Sequence, residues 1–168
     1  MISLDVGCGK RKRGTIGVDY SRQDSNADVI ADACFLPFKD AVFDEIVSFT
    51  VIEHSPNPLN FLREQFRVLE KGGKIVVTTD NAEYFAWSVL GESFGGYSHD
   101  GIYLDHYMIF ILDDVKKLLR MAGFKVDKTF YVDKCTSKLS FIAELFVKLG
   151  FWRQSCLYRR FNVTANKI

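Results

Sequence analysis

The stretch Leu4-Asp5-Val6-Gly7-Cys8-Gly9 decides the fold, because a short apolar run stops there at two glycines. The run from Ile2 to Val6 has the composition of a buried strand. Glycine has no Cβ, so the backbone that follows the strand can approach a ligand closely. In an open α/β sheet, ligands bind at the carboxyl ends of the strands. A glycine pair is also common in ordinary tight turns, so other residues have to decide between a binding site and a plain turn.

Further apolar runs alternate with amphipathic segments along the chain. Strands are also predicted over Thr15 to Tyr20, Asp28 to Ala31, Glu45 to Val51, Lys74 to Thr79, Lys125 to Val132 and Leu157 to Ala165. Helices are predicted over Asn57 to Leu69, Asp113 to Met121 and Ser140 to Leu149. This alternation predicts an α/β sandwich around a mostly parallel sheet, formed by residues 1–168 as a single domain.

Two carboxylates each close one of the predicted strands. Asp19 ends the second run, where a carboxylate can accept hydrogen bonds from the two ribose hydroxyls of an adenosine. Asp32, followed by Ala33, ends the third run, where it can accept a hydrogen bond from an exocyclic amine such as adenine N6. Taken singly, each is equally an ordinary surface acid at a strand end.

In this order, glycine turn, acid and acid, the residues resemble the class I S-adenosylmethionine (SAM)-dependent methyltransferases of the type 11 group. The resemblance extends over Phe43 to His54, Phe66 to Lys74 and Leu112 to Phe124, and so covers most of the chain. It implies a Rossmann-like, doubly wound, mostly parallel sheet of about seven strands with the last one antiparallel. It also implies a SAM-dependent methyltransferase whose acceptor is unidentified and is expected to be a small molecule.

The same resemblance implies the site residues. The expected cofactor-binding residues are Asp5, Gly7, Cys8, Gly9, Asp19, Tyr20, Asp32, Ala33, Phe49 and Thr50. Glu53 and His54 follow the fourth strand near the cofactor and are the candidate catalytic residues, although packing of the turn is the more common role for such side chains. No metal site is expected, because the three histidines lack ligand spacing and the four cysteines form no CxxC pair.

Two departures from the family pattern are visible. Gly9 and Asp19 are only ten positions apart, too close for the helix that the family places between them. A basic loop must replace this helix, and Arg11, Lys12 and Arg13 are candidates to hold the methionine carboxylate, unless they are simply solvated. The chain also starts at the first strand, without the N-terminal cap helices of the family. We therefore expect a cover from residues 81–107, a glycine- and aromatic-rich segment with the composition of a lid or substrate loop, from the basic tail or from another chain.

Charge and hydropathy restrict the partners. The net charge is +1, and although residues 134–168 carry seven basic residues and one acidic residue, a nucleic-acid partner is not specifically indicated. No leader peptide or membrane span is predicted, so a cytoplasmic protein is expected. Residues 139–152 carry more apolar side chains than one face of a small domain needs. We expect them either to pack on the sheet edge or to contact a second copy or another protein.

Two alternatives remain open. A dinucleotide-dependent oxidoreductase would need glycine at position 12 to complete GxGxxG, but Lys12 stands there and the following acid comes too early. A SAM-binding partner subunit without activity would bind SAM and show no turnover with any acceptor.

Overall fold

The computed structural model of the chain describes residues 1–23, 25–85, 106–136 and 140–168. These residues form one seven-stranded sheet and three α-helices. The strands are β1 Ser3–Val6, β2 Ile16–Asp19, β3 Val29–Ile30, β4 Phe43–Phe49, β5 Leu69–Asp80, β6 Lys125–Lys134 and β7 Tyr158–Asn166. The helices are α1 Pro58–Val68, α2 Leu112–Met121 and α3 Ser140–Lys148, with short 3-10 turns at Ile52–His54 and Gln154–Leu157.

The strand order is β3-β2-β1-β4-β5-β7-β6. All neighbours from β3 to β5 are parallel, whereas β7 runs antiparallel to both β5 and β6. This confirms the predicted mostly parallel sheet of seven strands with an antiparallel last strand. The chain leaves β1 outward to β2 and β3, then returns to the other side of β1 as β4. The order therefore reverses between β1 and β4, and such a switch point is where open α/β sheets bind ligands.

Helix α1 has clear sequence signals at its start. The side chain of Asn57 accepts a hydrogen bond from the backbone N–H of Asn60 at 3.0 Å, and Pro58 occupies the first turn. The apolar stripe of the helix, including Phe61 and Leu62, is buried against the sheet. Helix α2 packs beside α1 on the same face.

The opposite face of the sheet is different at β1. Leu4 and Val6 point into the core under α1, so the alternation of a strand places Asp5 on the other face. There the carboxylate of Asp5 accepts a hydrogen bond from the backbone N–H of Arg13. No helix connects β1 to β2, which confirms the loop predicted from the short spacing.

Two strands differ from their predicted bounds. β4 was expected to reach Val51 but ends at Phe49, because Thr50 adopts a left-handed backbone conformation with φ of 52°. β5 was expected to begin at Lys74 but begins at Leu69, where it pairs with Phe43 before the register shifts. Gly72 has a positive φ of 81°, and within this strand its N–H donates to the carbonyl of Lys167 while the N–H of Lys167 donates to the carbonyl of Gly73.

Two predicted segments remain, the lid or substrate loop over residues 81–107 and the apolar segment over residues 139–152. Residues 86–105 of the expected lid, and Leu139, lie outside the described residues. The helix predicted over the apolar segment is present as α3, and its Ala143 packs against Tyr84, Phe85 and Leu157. However, Phe141 is 72% exposed and Leu149 is 61% exposed. Several apolar side chains of the segment are therefore exposed while Ala143 packs within the chain, and the expected contact with a second copy or another protein stays a prediction. None of the described helices is long and apolar enough to cross a membrane.

Candidate functional site

A cavity of about 540 Å³ opens at the carboxyl ends of β1, β2 and β4, at the switch point of the sheet. Seven of the twelve predicted site residues line it: Gly7, Asp19, Tyr20, Asp32, Ala33, Thr50 and His54. Val18, Ala31, Val51, Ser55, Pro56, Phe61 and Tyr107 complete the wall. The residues that end or follow β1, β2 and β3 thus meet in the wall of one cavity, as the order of the motifs predicts.

Gly7 stands at the closest approach between two strand exits. Its φ is 69°, and a Cβ atom built there would lie 2.3 Å from Cγ2 of Val51, which follows β4. That distance is far below van der Waals contact, so a side chain at Gly7 would push the two exits apart. Gly9 also has a positive φ, of 50°, but a Cβ there would meet nothing within 4 Å. Space requires glycine at the first position, and backbone conformation favours it at the second.

Asp19 lies in the cavity wall and also holds the glycine turn. Its Oδ2 accepts a hydrogen bond from the backbone N–H of Gly9 at 2.9 Å, and its Oδ1 accepts one from Ser21 at 3.3 Å. A carboxylate has about four lone-pair sites, so acceptor capacity is left for a ligand. The ribose-binding role that the family resemblance implies for Asp19 stays a prediction.

Asp32 and its neighbours Ala31 and Ala33 also line the cavity. The Oδ1 of Asp32 accepts a hydrogen bond from the backbone N–H of Cys34 at 2.8 Å. This contact orients the carboxylate, and the second oxygen can accept from an exocyclic amine. Tyr20 borders the same cavity and is 81% exposed, so its ring stands at the mouth.

Asp5 and Cys8 were predicted to bind the cofactor, but neither is among the residues that line this cavity. Asp5 is fully buried and faces the basic loop, and this burial raises the pKa of its carboxyl. Cys8 is buried beside Gly17, where a Cβ would lie 2.9 Å from the sulfur, and burial raises the pKa of the Cys8 thiol. Both side chains are buried next to the glycine turn, and their expected contact with a cofactor stays a prediction.

A second cavity of about 260 Å³ adjoins the first at the exits of β4 and β5. Its walls are Phe49, Thr50, Glu53, His54, Asp80, His106, Arg159 and Arg160. Thr50 and His54 line both cavities. The strained backbone of Thr50 is stabilised by two hydrogen bonds, from its N–H to the carbonyl of Thr78 and from its Oγ1 to the carbonyl of Phe49, both 2.8 Å.

Glu53 is an acid held almost entirely away from water, with 1% of its surface exposed. Its Oε2 accepts a hydrogen bond from the Thr79 hydroxyl at 2.9 Å, while its Oε1 has no hydrogen-bond partner among the described residues. Burial raises the pKa of Glu53 to about 7, and the nearby charge of Asp80 adds to this rise. Such a carboxyl changes its protonation state near neutral pH.

His54 and His106 lie edge to face beside this acid. Their ring centroids are 4.5 Å apart. The backbone carbonyl of Glu53 accepts hydrogen bonds from the N–H groups of Tyr107 at 2.9 Å and Met108 at 3.3 Å, which fastens the two segments together. The sequence contains no spacing signal for this contact, because His106 follows His54 by 52 positions. His106 is therefore a site residue that sequence reasoning missed.

Arginines supply the positive charge of the second cavity. The Nε of Arg160 lies 3.3 Å from Oδ1 of Asp80, and its guanidinium lies 5.1 Å from the centroid of the Phe49 ring. The guanidinium of Arg13 lies 4.2 Å from the same ring. Of the predicted basic-loop candidates, Arg13 thus reaches the edge of the site, whereas Lys12 forms an ion pair with Asp28 at 2.8 Å.

Comparison with known proteins identifies the family of the chain. A family model described as a methyltransferase domain matches residues 2–129. The chain belongs to this methyltransferase family. A probable SAM-dependent methyltransferase of Mycolicibacterium smegmatis is 34% identical over 104 residues, which cover 49% of this chain and 39% of that protein. The methyltransferase domain described here spans less than two thirds of the length of the curated relatives that it matches.

Solved structures show the same fold. A SAM-dependent methyltransferase from Archaeoglobus fulgidus superposes with a TM-score of 0.71 at 20% identity, over 98% of this chain and 85% of that one. A proposed methyltransferase of Haloferax volcanii, in complex with the Trm112 methyltransferase activator, gives a TM-score of 0.66 at 16% identity, over 98% of this chain and 80% of that one. The predicted family and its fold are confirmed, while identities this low concern the fold alone.

Proposed function

We propose that this protein is a SAM-dependent methyltransferase that binds SAM in the larger cavity and its methyl acceptor in the smaller one. The observation that carries the proposal is the pair of adjoining cavities at the switch point, with Thr50 and His54 in the wall between them. Methyl transfer needs a nucleophile held close to the sulfonium and in line with the breaking bond. Two chambers with a common wall provide that placement.

The larger cavity has the size and the polar groups for SAM. About 540 Å³ is within the usual range for small-molecule sites. The glycine turn at Gly7 brings backbone close to the ligand, the Asp19 carboxylate suits the ribose hydroxyls, and Asp32 suits the adenine amine. Arg13 stands at the edge of the site, where a guanidinium can pair with the methionine carboxylate.

The smaller cavity favours a small acceptor that carries a negative charge. Its volume of about 260 Å³ suits a small ligand, and Arg159 and Arg160 line it. Guanidinium groups bind carboxylates and phosphates in a two-point geometry. Glu53 and His54 border this cavity, so we assign them the contact with the reacting group of the acceptor. The departing thioether is neutral, so a proton acceptor is needed only if the nucleophile carries a proton.

Calorimetry tests the cofactor, and a methyl-transfer assay tests the reaction. We expect heats of binding with SAM and S-adenosylhomocysteine and none with NAD. Binding of NAD without SAM would replace this proposal by the oxidoreductase. A screen of small anionic hydroxyl and amine compounds with labelled SAM then searches for turnover. SAM binding with no turnover for any acceptor would favour the alternative of a non-catalytic SAM-binding subunit.

We also propose that the exposed apolar side of α3 contacts another chain, either a second copy or a different protein. Phe141 and Leu149 are the most exposed apolar side chains of this segment, together with Phe151. An unburied apolar surface of this kind is typical of association sites. The Haloferax volcanii neighbour, which occurs in complex with an activator, shows that this fold accommodates a protein partner.

A further inference from the structure

Three metal-ligating side chains converge beside the smaller cavity. Glu53, His54 and His106 each offer one ligand atom, and these three atoms all lie within 4.8 Å of one another. Three ligands at about 2.1 Å from a tetrahedral metal centre are about 3.4 Å apart. Small side-chain rotations would therefore bring the set to coordinating distance without moving the backbone.

We propose that Glu53, His54 and His106 bind one divalent transition-metal ion, with Zn²⁺ as the best match. Two imidazoles and one carboxylate form a ligand set that suits Zn²⁺ and also iron(II), whereas Mg²⁺ and Ca²⁺ prefer oxygen ligands. Three protein ligands leave a fourth position open, as in catalytic zinc sites. All three residues line the smaller cavity, so the open position faces the space assigned to the acceptor.

The surroundings hold these ligands in place. Glu53 is almost fully buried, and the Thr79 hydroxyl fixes its Oε2 while its Oε1 is left without a hydrogen-bond partner among the described residues. Such outer contacts orient metal ligands. The hydrogen bonds from Tyr107 and Met108 to the Glu53 carbonyl keep His106 next to the turn that carries the other two ligands.

The charges of the cavity wall determine which fourth ligand the metal would take. Glu53 and Asp80 contribute two negative charges to the cavity wall when ionised, and Arg159 and Arg160 contribute two positive ones. Arg160 forms ion pairs with Asp80 at 3.3 Å and with Asp133 at 3.4 Å, and these two carboxylates offset its positive charge near the three metal ligands. A divalent ion leaves the cavity with excess positive charge, so the fourth ligand should be an anionic oxygen.

With this ion bound, Glu53 and His54 would act on the reacting group of the acceptor through the metal. That role rests on the proposed function, whereas metal binding itself does not. A metal ion lowers the pKa of a bound hydroxyl group. The acceptor hydroxyl would lose its proton to solvent, and its oxygen would form the new bond to the methyl carbon. The carbon–sulfur bond would break with its electron pair on sulfur, which leaves a neutral thioether. The structure thus favours an acceptor that presents an oxygen nucleophile.

Titration of the chelator-treated full chain with Zn²⁺ alone, by calorimetry, tests the site. We expect close to one ion per chain, and Co²⁺ should give the visible absorption of a four-coordinate centre. His106→Ala should weaken Zn²⁺ binding by about tenfold or more. Glu83→Gln, which changes an acid outside the cavity, should leave it unchanged. S-adenosylhomocysteine should bind His106→Ala as it binds the wild type, because His106 does not line the larger cavity.

The outcomes separate this inference from the proposed function. A chain that binds S-adenosylhomocysteine but neither Zn²⁺ nor Co²⁺ overturns the metal site and leaves the proposed function standing. A chain that binds Zn²⁺ through His106 but no adenosyl ligand does the reverse. Unchanged Zn²⁺ affinity in both His106→Ala and His54→Ala would place the ion elsewhere on the chain and overturn the assignment.

Discussion

The Oδ2 atom of Asp19 accepts a hydrogen bond from the backbone N–H of Gly9 over 2.9 Å. The carboxylate at the end of β2 thereby fixes the turn that follows β1, across the edge where the larger cavity opens. One side chain both holds the turn and lines the cavity. Removal of this carboxylate should therefore affect binding more than it affects folding.

Asp19→Ala should weaken SAM binding by roughly 1–3 kcal/mol, the cost of leaving polar groups unpaired. Calorimetry with S-adenosylhomocysteine measures the change, and a thermal melt checks that the variant is folded. Glu70→Gln, at an exposed position of β5, is the control and should bind as the wild type does. Unchanged affinity in Asp19→Ala would remove this residue from the site.

Gly7→Ala should destabilise the protein more than Gly9→Ala. Both changes force a left-handed conformation on alanine, at a cost of about 1–2 kcal/mol. Only the first also places a Cβ 2.3 Å from Val51, so its total should be about 2–4 kcal/mol. Urea denaturation measures both free energies of unfolding.

The double variant Gly7→Ala/Val51→Ala makes this test specific. Removal of the Val51 methyl groups should recover the steric part of the loss and leave the conformational part. Equal destabilisation by Gly7→Ala and Gly9→Ala would mean that Val51 moves aside without cost.

Glu64 should make the stability of the protein depend on pH. Its carboxylate accepts hydrogen bonds from the guanidinium of Arg67 at 2.8 Å and from the backbone N–H of Leu36 at 2.9 Å. The hydrogen bonds from Arg67 are the main reason why the pKa of Glu64 is lowered in the folded state. The stability that it contributes is therefore present above the unfolded-state pKa, about 4.3, and is lost as pH falls through the lower folded-state pKa.

Glu64→Gln should reduce the free energy of unfolding at pH 7 by about 1 kcal/mol, since the pair is only partly shielded from solvent. The difference between the wild type and Glu64→Gln should shrink as the pH is lowered below about 4. Urea denaturation at several pH values measures both effects, with Glu70→Gln as the control. A difference that stays constant across this pH range would contradict the assignment.

The apolar side of α3 should promote self-association if its partner is a second copy. Phe141→Ser should lower the apparent mass seen by light scattering at high protein concentration. Met121→Ser, at an apolar position of α2 that is 53% exposed, should not. A wild type that stays monomeric at every concentration would exclude the second copy and leave a different protein as the proposed occupant.

The sheet could be predicted because its signals are local. Apolar runs interrupted by glycine and acids predict each strand, and the short interval from Gly9 to Asp19 correctly predicts the missing helix. The predicted strand ends were less exact where the residue types do not reveal the backbone conformation. Nothing in the residue type of Thr50 predicts a left-handed conformation, so β4 was expected to extend two residues further.

The site could be predicted only as far as each residue follows its own strand. Asp19 and Asp32 lie in the cavity wall because strand ends converge at one edge. Asp5 lies within β1, and its buried carboxylate accepts a hydrogen bond from the backbone N–H of Arg13 and does not line either of the two cavities. The approach of His106 to His54 is a tertiary contact between distant segments, which no spacing along the chain records.

Thr50 and His54 line both cavities, so a ligand in one chamber touches residues that the other chamber needs. Binding at two sites with common residues can be coupled, and the coupling free energy is the same in both directions. Whatever factor the ligand in the larger cavity contributes to the affinity of the smaller cavity, the ligand in the smaller cavity changes the affinity of the larger cavity by the same factor. If this factor favours joint occupancy, each ligand is retained longest when its counterpart is already bound.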